Sequence, residues 1–429
     1  MVRQKALIEE PPEAGTARMA VAPRRTIKEF EKQQTMRINT FITLFWILYF
    51  PLCIAFYEYV NDYVDEVMTL VLVLFTLMKM GSRHINRKPI KEAGWCVAIL
   101  TGYLIYSLIL QVNVPMASII DYQQQVRPYA VFFCTMILAP MFTRKQKWWM
   151  LTSVLLTFVS YIIFKFNTLG EEENVTYGAL AMSSALAYYF LTKQSAKNRN
   201  IAICIALAGI LSGKFKYFGE CTAFITILLL LHKRLNFKSI KLFFQVGVLG
   251  VLVLFFAWER FEKYFITGLD NKQLARPMIY KTTPKILRDY FPFGPGLATF
   301  GTSASAKKYY SKLYYDYKLD QIWGMSPNDR GAFNADSFYP SLAQFGVVGI
   351  FFFLWFWKRR LKEINTIQDV RYYKVALSAM MCLAIESVAD TSYLSGRGMA
   401  YFMIMGIALN SNRYLCVKRT SPHLSMHNK

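Results

Sequence analysis

Long apolar runs without charge recur along almost the whole chain, separated by short polar segments. No charged residue lies between Ala93 and Ile120, or between Ser337 and Trp357. A helix needs about 20 apolar residues to cross the hydrocarbon core of a bilayer, and these runs meet that requirement. The pattern therefore predicts an all-α polytopic membrane protein. We place about twelve transmembrane helices, at 41–57, 64–80, 95–113, 126–142, 148–165, 176–193, 200–213, 218–231, 240–257, 337–357, 373–389 and 397–412.

Five segments follow from this pattern. They are a basic cytoplasmic tail, nine transmembrane helices, an extracytoplasmic loop, three transmembrane helices and a cytoplasmic tail, at 1–38, 39–257, 258–336, 337–412 and 413–429. The loop is far longer than a connection between helices needs to be. Its Tyr and Lys residues are concentrated between Lys307 and Lys318. Such a cluster suits either stacking against sugar rings or an aromatic belt at the membrane interface.

The distribution of basic residues predicts the orientation of the chain. The formal net charge is +23, with 50 Lys and Arg against 27 Asp and Glu. In a soluble protein this excess of positive charge would suggest binding to nucleic acid. In a membrane protein the positions of the basic residues instead indicate which segments stay in the cytoplasm. With both termini cytoplasmic, 33 of the 50 basic residues lie inside. We therefore expect a bilayer and not a nucleic acid as the partner of this charge.

A few basic residues lie on the predicted outer side, where the preference of Lys and Arg for cytoplasmic segments does not explain them. Lys214 and Lys216 occupy the turn between two short helices, where two ammonium groups would bind an anion. Ionisable groups near membrane depth are costly and suggest function. The alternative is that both side chains extend to the lipid headgroups.

Arg276 lies in the long loop, and Pro277 after it suits the first turn of a helix. A helix N-terminus binds phosphate well, and guanidinium binds it through two hydrogen bonds. We predict that Arg276 binds phosphate and that Tyr280, one turn later, contacts the substrate. The alternative for Arg276 is an exposed loop charge.

Arg127 and Arg397 lie at the outer mouths of two predicted helices, and a site role and a headgroup contact are equally open for each. Asp336 ends the long loop, and Glu220 follows the lysine turn. Each carboxylate is either an ion-pair partner of these cations or a general base. We assign Asp336 to the acceptor hydroxyl, with Glu220 in reserve.

Metal and cofactor chemistry is not expected from this sequence. The four histidines, His84, His232, His423 and His427, all fall on the predicted cytoplasmic side. No acidic pair with metal-binding spacing lies outside, and no nucleotide-binding motif is present. The seven cysteines contain no C-x-x-C pair and behave as small apolar residues.

The order of these features resembles the O-antigen ligase and polymerase superfamily of bacterial envelopes. The family pattern is an Arg, a Gly-x-Gly-x-x-x-Phe turn, and a polar motif that opens a helix ending in two spaced glycines. The matching residues are Arg276, Gly294–Phe300, Ala335–Tyr339 and Gln344–Gly349. The resemblance covers roughly 200–350, and elsewhere only the topology is similar.

This resemblance implies glycan transfer at the outer face of the bacterial cytoplasmic membrane, by a metal-independent enzyme of the GT-C kind. The implied donor is a glycan on undecaprenyl diphosphate, and a chain-length regulator is a further partner to test. The acceptor is another lipid-linked repeat unit in a polymerase and the lipid A core in a ligase. Ligases of the family carry His where Asp336 stands, and Arg where Lys214 or Lys216 stands, so we expect a polymerase. A flippase for the same lipid is an alternative, although the chain lacks two similar halves.

Overall fold

The computed structural model describes residues 24–60, 63–81, 85–165, 175–231, 274–329, 331 and 333–410, and single residues 247, 251, 258 and 262. These residues form helices and turns, with no strand among them. The α-helices of the continuous segments are α1 Arg24–Tyr49, α2 Tyr57–Val60, α3 Val64–Lys79, α4 Ile90–Leu110, α5 Pro115–Leu138, α6 Arg144–Phe164, α7 Val175–Leu191, α8 Ala196–Ala208, α9 Phe215–Leu229, α10 Ala275–Asp289, α11 Lys312–Asp316, α12 Phe338–Ser341, α13 Gly346–Ile364, α14 Val370–Ala389 and α15 Gly396–Leu409.

Five of these stretches are long and apolar enough to cross a membrane: Thr35–Ala55, Ile90–Leu110, Arg144–Phe164, Phe338–Ile364 and Val370–Ala389. The protein is therefore a helical membrane protein. Helices also occupy the other predicted spans that fall in the described residues, but several are short, and the count of twelve stays a prediction. The ninth predicted span, 240–257, lies outside the described residues apart from two positions.

Two predicted boundaries differ from the structure. The fourth predicted span starts at 126, but α5 begins at Pro115, where proline suits the first helical position. The stretch from Asp121 to Arg127 within this helix is largely polar and packs against the loop, where the Ala298 amide donates to Asp121 Oδ2 (2.7 Å). Apolar periodicity alone therefore did not extend the helix back to Pro115. Likewise α1 begins at Arg24, inside the predicted tail, and most of both tails lies outside the described residues.

Burial separates helices that face lipid from helices that fill the core. Only Tyr103 and Ser107 are buried among the 21 residues of α4, although the helix is almost entirely apolar. Apolar surface on this scale is not left in water by a soluble protein. By contrast, α7 and α15 are buried on nearly every side, as expected of apolar helices in the middle of a bundle.

Hydrogen bonds and ion pairs identify two opposite ends of this bundle. At one end, Tyr49 Oη donates to Gly396 O (2.8 Å), and Tyr217 Oη donates to Val175 O (2.5 Å). These contacts join the end of α1 to the start of α15, and the start of α7 to the start of α9. We call this end the site end. At the other end, Glu92 at the start of α4 pairs with Arg359 and Arg360 near the end of α13.

The described part of the long loop folds into a cap with its own apolar core on the site end. Residues Ile279, Ile286, Phe300, Leu313, Tyr314, Leu319, Ile322 and Met325 are all buried together there. Tyr314 is fully buried, and its hydroxyl accepts a hydrogen bond from the Gly301 amide (2.9 Å). Part of the Tyr and Lys cluster therefore forms the core of the cap, a role that neither interpretation from the sequence anticipated.

The Gly-x-Gly turn at the start of Gly294–Phe300 attaches this cap to α4. Gly296 has a φ of 96°, and a Cβ there would come within 2.8 Å of Ser107 Oγ. Only glycine adopts such a conformation without strain. Next to it, the Leu297 amide donates to Ser107 Oγ (2.7 Å). Glycine at position 296 thus lets the loop backbone come close enough to α4 for this hydrogen bond.

Candidate functional site

The C-terminal end of α14 anchors the first helix of the cap. The last carbonyl groups of a helix have no partner within the helix. Here Tyr280 Oη donates to Val388 O (2.7 Å). Arg276 Nη2 donates to Ala389 O (3.2 Å), and this cation lies at the negative end of the helix dipole. The start of α10 is therefore held over the end of α14, and the Tyr280 hydroxyl has a positioning contact there.

Arg276 also forms an ion pair with Asp336 at the other end of the described loop. Its Nη2 lies 2.5 Å from Asp336 Oδ2, and the two side chains are 19% and 34% exposed. Burial raises the pKa of the Asp336 carboxyl, although the Arg276 charge opposes the rise. The geometry makes Asp336 the ion-pair partner of Arg276, and its assignment as a base stays a prediction.

Lys214 precedes α9 and lies close enough to Arg276 and Asp336 to feel both charges. Burial, together with the nearby charges of Lys216 and Arg276, lowers the pKa of its ammonium group. Gly213 before it has a φ of 68°, which turns the chain sharply into α9. Lys214 in the outer turn and Arg276 at the start of the described loop thus lie within range of each other's charge.

A second group of charges is centred on Asp390, directly after α14. Lys216 Nζ lies 2.5 Å from Asp390 Oδ2, and Arg397 Nη1 lies 3.4 Å from the same oxygen. All three side chains are at most 13% exposed. Burial by itself would raise the pKa of the Asp390 carboxyl, but Arg397 and Lys216 outweigh it and hold the pKa well below its usual range.

These six residues form what we call the charge cluster: Lys214, Lys216, Arg276, Arg397, Asp336 and Asp390. Four are cations and two are carboxylates. The cluster therefore carries a net charge of about +2 at neutral pH when all six are ionised. An anion of similar charge would neutralise it, and a diphosphate ester is such an anion.

Glu220 differs from its predicted position in the outer turn. The helix α9 begins at Phe215, so Glu220 lies more than one turn inside it and is fully buried. Tyr401 Oη donates to its Oε2 (3.4 Å), and Glu386 lies beside it. Glu220 therefore lies beneath the charge cluster, within the bundle, and not at its surface.

Arg127 lies away from the charge cluster and has its own acidic partners. Its Nη1 is 2.6 Å from Asp65 Oδ2 and 2.8 Å from Glu66 Oε1, both at the start of α3. Its Nη2 donates to Leu394 O, in the connection between α14 and α15. Arg127 is 7% exposed, so this is a buried triad and not a contact with lipid headgroups.

A polar cavity of about 370 Å³ lies between Arg127 and the charge cluster. Its size falls in the roughly 300–1,000 Å³ range of ligand pockets. Its lining includes Arg397 and the triad of Arg127, Asp65 and Glu66. Thr302 and Ser303 of the loop complete the lining. Arg397 thus belongs both to the charge cluster and to the cavity.

An apolar groove begins at Phe338, two residues after Asp336, and runs between α4, α5 and α13. Its lining includes Leu100, Phe345 and Phe353. Because α4 has an exposed apolar face, with Trp95, Ile105 and Ile109 among its exposed residues, this groove borders the surface that faces lipid. A hydrocarbon chain entering from the bilayer could therefore lie close to the charge cluster.

Asp65 and Glu66 are site residues that the sequence did not single out. They read as an acidic turn on the outer side, and nothing in their spacing relates them to Arg127, which is about 60 positions away. An acidic pair at the first turn of a predicted span, together with an unexplained outer Arg, is the only signal that could have suggested the contact. The contact itself depends on the packing of α3 against α5.

No family model matches this chain, and no curated protein matches its sequence. Among the described residues, no group of three or more His, Cys, Asp and Glu side chains could hold a metal ion.

Proposed function

We propose that the protein polymerises lipid-linked oligosaccharide repeat units by glycosyl transfer from an undecaprenyl-diphosphate donor. The reaction takes place at the outer face of the bacterial cytoplasmic membrane and needs no metal. The observation that carries the proposal is the excess of cations in the charge cluster. That cluster lies between a polar cavity and an apolar groove, in a helical membrane protein.

The leaving group explains why such a cluster suits this reaction. When the bond between sugar and diphosphate breaks, negative charge develops on the departing oxygen. Lys214, Lys216 and Arg276 are held in place beforehand by Asp336 and Asp390, so little reorganisation is needed as the charge appears. Preorganised cations in a site of low polarity can supply several kcal/mol of transition-state stabilisation.

The charge cluster and the two spaces beside it match the three parts of the proposed substrates. The apolar groove at Phe338 suits the polyprenyl chain of the donor. The cluster suits its diphosphate. The polar cavity, with hydroxyl, amide and carboxylate groups on its walls, suits sugar rings, whose hydroxyls both donate and accept hydrogen bonds. A carrier for the same lipid would need the cluster but would have no need to bring two sugars together.

The test is reconstitution of the purified protein in liposomes that contain a defined lipid-linked repeat unit. Products are separated by gel electrophoresis and identified by mass spectrometry. We expect a ladder of longer glycans from the wild type and from Asp316→Asn, an exposed loop carboxylate that serves as a matched control. Lys216→Ala should lose the ladder. Movement of unaltered lipid between leaflets without a ladder would indicate a carrier, and transfer only to a lipid A core acceptor would indicate a ligase.

A further inference from the structure

We infer that Glu66 is the general base that activates the acceptor hydroxyl, and that the cavity between Arg127 and Arg397 holds the acceptor sugar. This rests on the proposed function. Glu66 lies outside the charge cluster, in the first turn of α3, so the base is not the loop carboxylate Asp336.

The first observation concerns the ion pair and the hydrogen bonding of the Glu66 carboxylate. Its Oε1 is 2.8 Å from Arg127 Nη1, which fixes the side chain. Its Oε2 is buried and accepts no hydrogen bond from a described N–H or O–H donor, and the Asp65 carboxyl lies beside the Glu66 carboxyl. A buried carboxylate oxygen without a donor is costly, and a substrate hydroxyl entering the cavity would supply the missing donor.

Arg127 gives a second observation of the same kind. This side chain is 7% exposed and lines the cavity, yet its Nε has no acceptor among the described residues. The neighbouring wall carries Gln124, Thr302 and Ser303, which can bind further hydroxyl groups. The walls of the cavity thus combine donors and acceptors without a surplus of positive charge, because Arg127 is matched by Asp65 and Glu66. Such a lining favours an uncharged sugar over a second phosphate.

The position of the cavity gives the third observation. Glu66 and Arg397 lie on the walls of one space, and Arg397 adjoins the cations that would bind the donor diphosphate. An acceptor sugar beside Glu66 and a donor sugar beside Arg397 would meet in this space, with the base next to the acceptor and the leaving group next to the cations. This is the arrangement that a single displacement with inversion requires.

The chemical step balances without any further reagent. Glu66 Oε2 takes the proton of the acceptor hydroxyl, and the hydroxyl oxygen forms a bond to C1 of the donor sugar. The bond from C1 to the phosphate oxygen breaks, and its electron pair leaves with the diphosphate beside Lys214, Lys216 and Arg276. Asp336 and Asp390 keep those cations in place and take no proton.

The test uses the full-length protein in liposomes, with binding of the lipid-linked donor measured separately by native mass spectrometry. Glu66→Gln should bind the donor as the wild type does and turn over at least about 100-fold more slowly, the usual contribution of a general base. Asp316→Asn should match the wild type in both. Unchanged turnover in Glu66→Gln, or a large loss in Asp65→Asn alone, would overturn the assignment to Glu66.

A rescue experiment separates a base from a residue that only supports the fold. Azide is an anionic nucleophile and needs no base, so azide should restore donor consumption in Glu66→Ala and give a glycosyl azide with inverted configuration. Azide should not rescue Lys216→Ala, because that variant lacks a cation on the side of the leaving group. Absence of rescue in Glu66→Ala that still binds donor would overturn the inference. Absence of any product from the wild type would instead refute the proposed function.

Discussion

Lys216 Nζ lies 2.5 Å from Asp390 Oδ2, although 174 positions separate the two residues in the chain. The contact joins the first turn of α9 to the end of α14, and Arg397 from the next helix approaches the same carboxylate. One acidic side chain thus holds two cations from different helices at the site end of the bundle. Asp390 therefore has two cationic partners, whereas Lys216 has one acidic partner in this contact.

Asp390→Ala should destabilise the protein more than Lys216→Ala. Removing one partner of a buried ion pair costs about 3–5 kcal/mol, because it leaves an uncompensated charge. Loss of Asp390 leaves two buried cations, whereas loss of Lys216 leaves a carboxylate that still faces Arg397. Thermal unfolding in detergent, followed by size-exclusion chromatography of heated samples, measures the difference. Equal losses in the two variants would mean that Arg397 does not share the charge of Asp390.

Arg276→Lys should be impaired even though it keeps the charge. Nη2 of the guanidinium group donates both to Asp336 and to Ala389 O. The lysine ammonium is a compact point charge on a different stem, so it does not reproduce the position of Nη2 between these two acceptors. A hydrogen bond to a charged group contributes about 1.5–3 kcal/mol. We therefore expect a roughly 10- to 100-fold loss of polymerisation in the lysine variant and a larger loss in Arg276→Ala. The readout is glycan chain length in a strain that lacks the gene, and normal lengths in both variants would remove Arg276 from the mechanism.

Activity should fall at alkaline pH through Lys214. Burial lowers the pKa of this ammonium group below its usual 10.5, so its charge disappears at a lower pH than that of an ordinary lysine. The same shift means that protonated Lys214 destabilises the folded state below its folded pKa, and that this cost vanishes as the pH rises through 10.5. Lys214→Arg stays charged and should extend donor binding to higher pH. An identical alkaline limit in wild type and Lys214→Arg would contradict this prediction.

Gly296→Ala should loosen the cap without affecting α4 itself. The positive φ and the approach of Ser107 Oγ oppose a Cβ at this position, and such strain costs about 1–3 kcal/mol. The matched control is Gly102→Ala, a helical glycine in α4 with nothing within 4 Å of an added Cβ. Limited proteolysis should cut the loop faster in Gly296→Ala than in the wild type. Equal cleavage in the wild type and Gly296→Ala would show that the turn does not hold the cap.

The two ends of the bundle should face opposite sides of the membrane. Tyr315 in the cap and Lys197 at the start of α8 are both exposed. In intact cells a membrane-impermeant maleimide should label Tyr315→Cys, and it should label Lys197→Cys only after permeabilisation. The opposite result would place the charge cluster in the cytoplasm and would exclude transfer from a donor at the outer face.

Much of the helical framework could be predicted because the bilayer imposes a simple rule on sequence. An apolar run of about 20 residues has few alternatives to a spanning helix, since every backbone polar group must be satisfied within it. The turn at 293–296 was also predictable, because Gly and Pro restrict the backbone locally. The early start of α5 was missed because the polar stretch from Asp121 to Arg127 interrupts its apolar pattern, and this stretch packs against the loop and not against lipid.

The site was predicted only in part, and the reason is the nature of its contacts. The sequence by itself determined that the chain is a helical membrane protein and that Lys214, Lys216 and Arg276 are unusual, because charge near an apolar run is costly wherever the run packs. Only the tertiary structure decided that Asp390 pairs with Lys216, that Glu220 is buried below them, and that Asp65 and Glu66 pair with Arg127 beside a cavity. Those pairings depend on which helices lie side by side and on their rotation about their own axes. Apolar surfaces pack against one another with little chemical selectivity, so the pattern of hydrophobic residues does not encode that choice in any form that can be read along the chain.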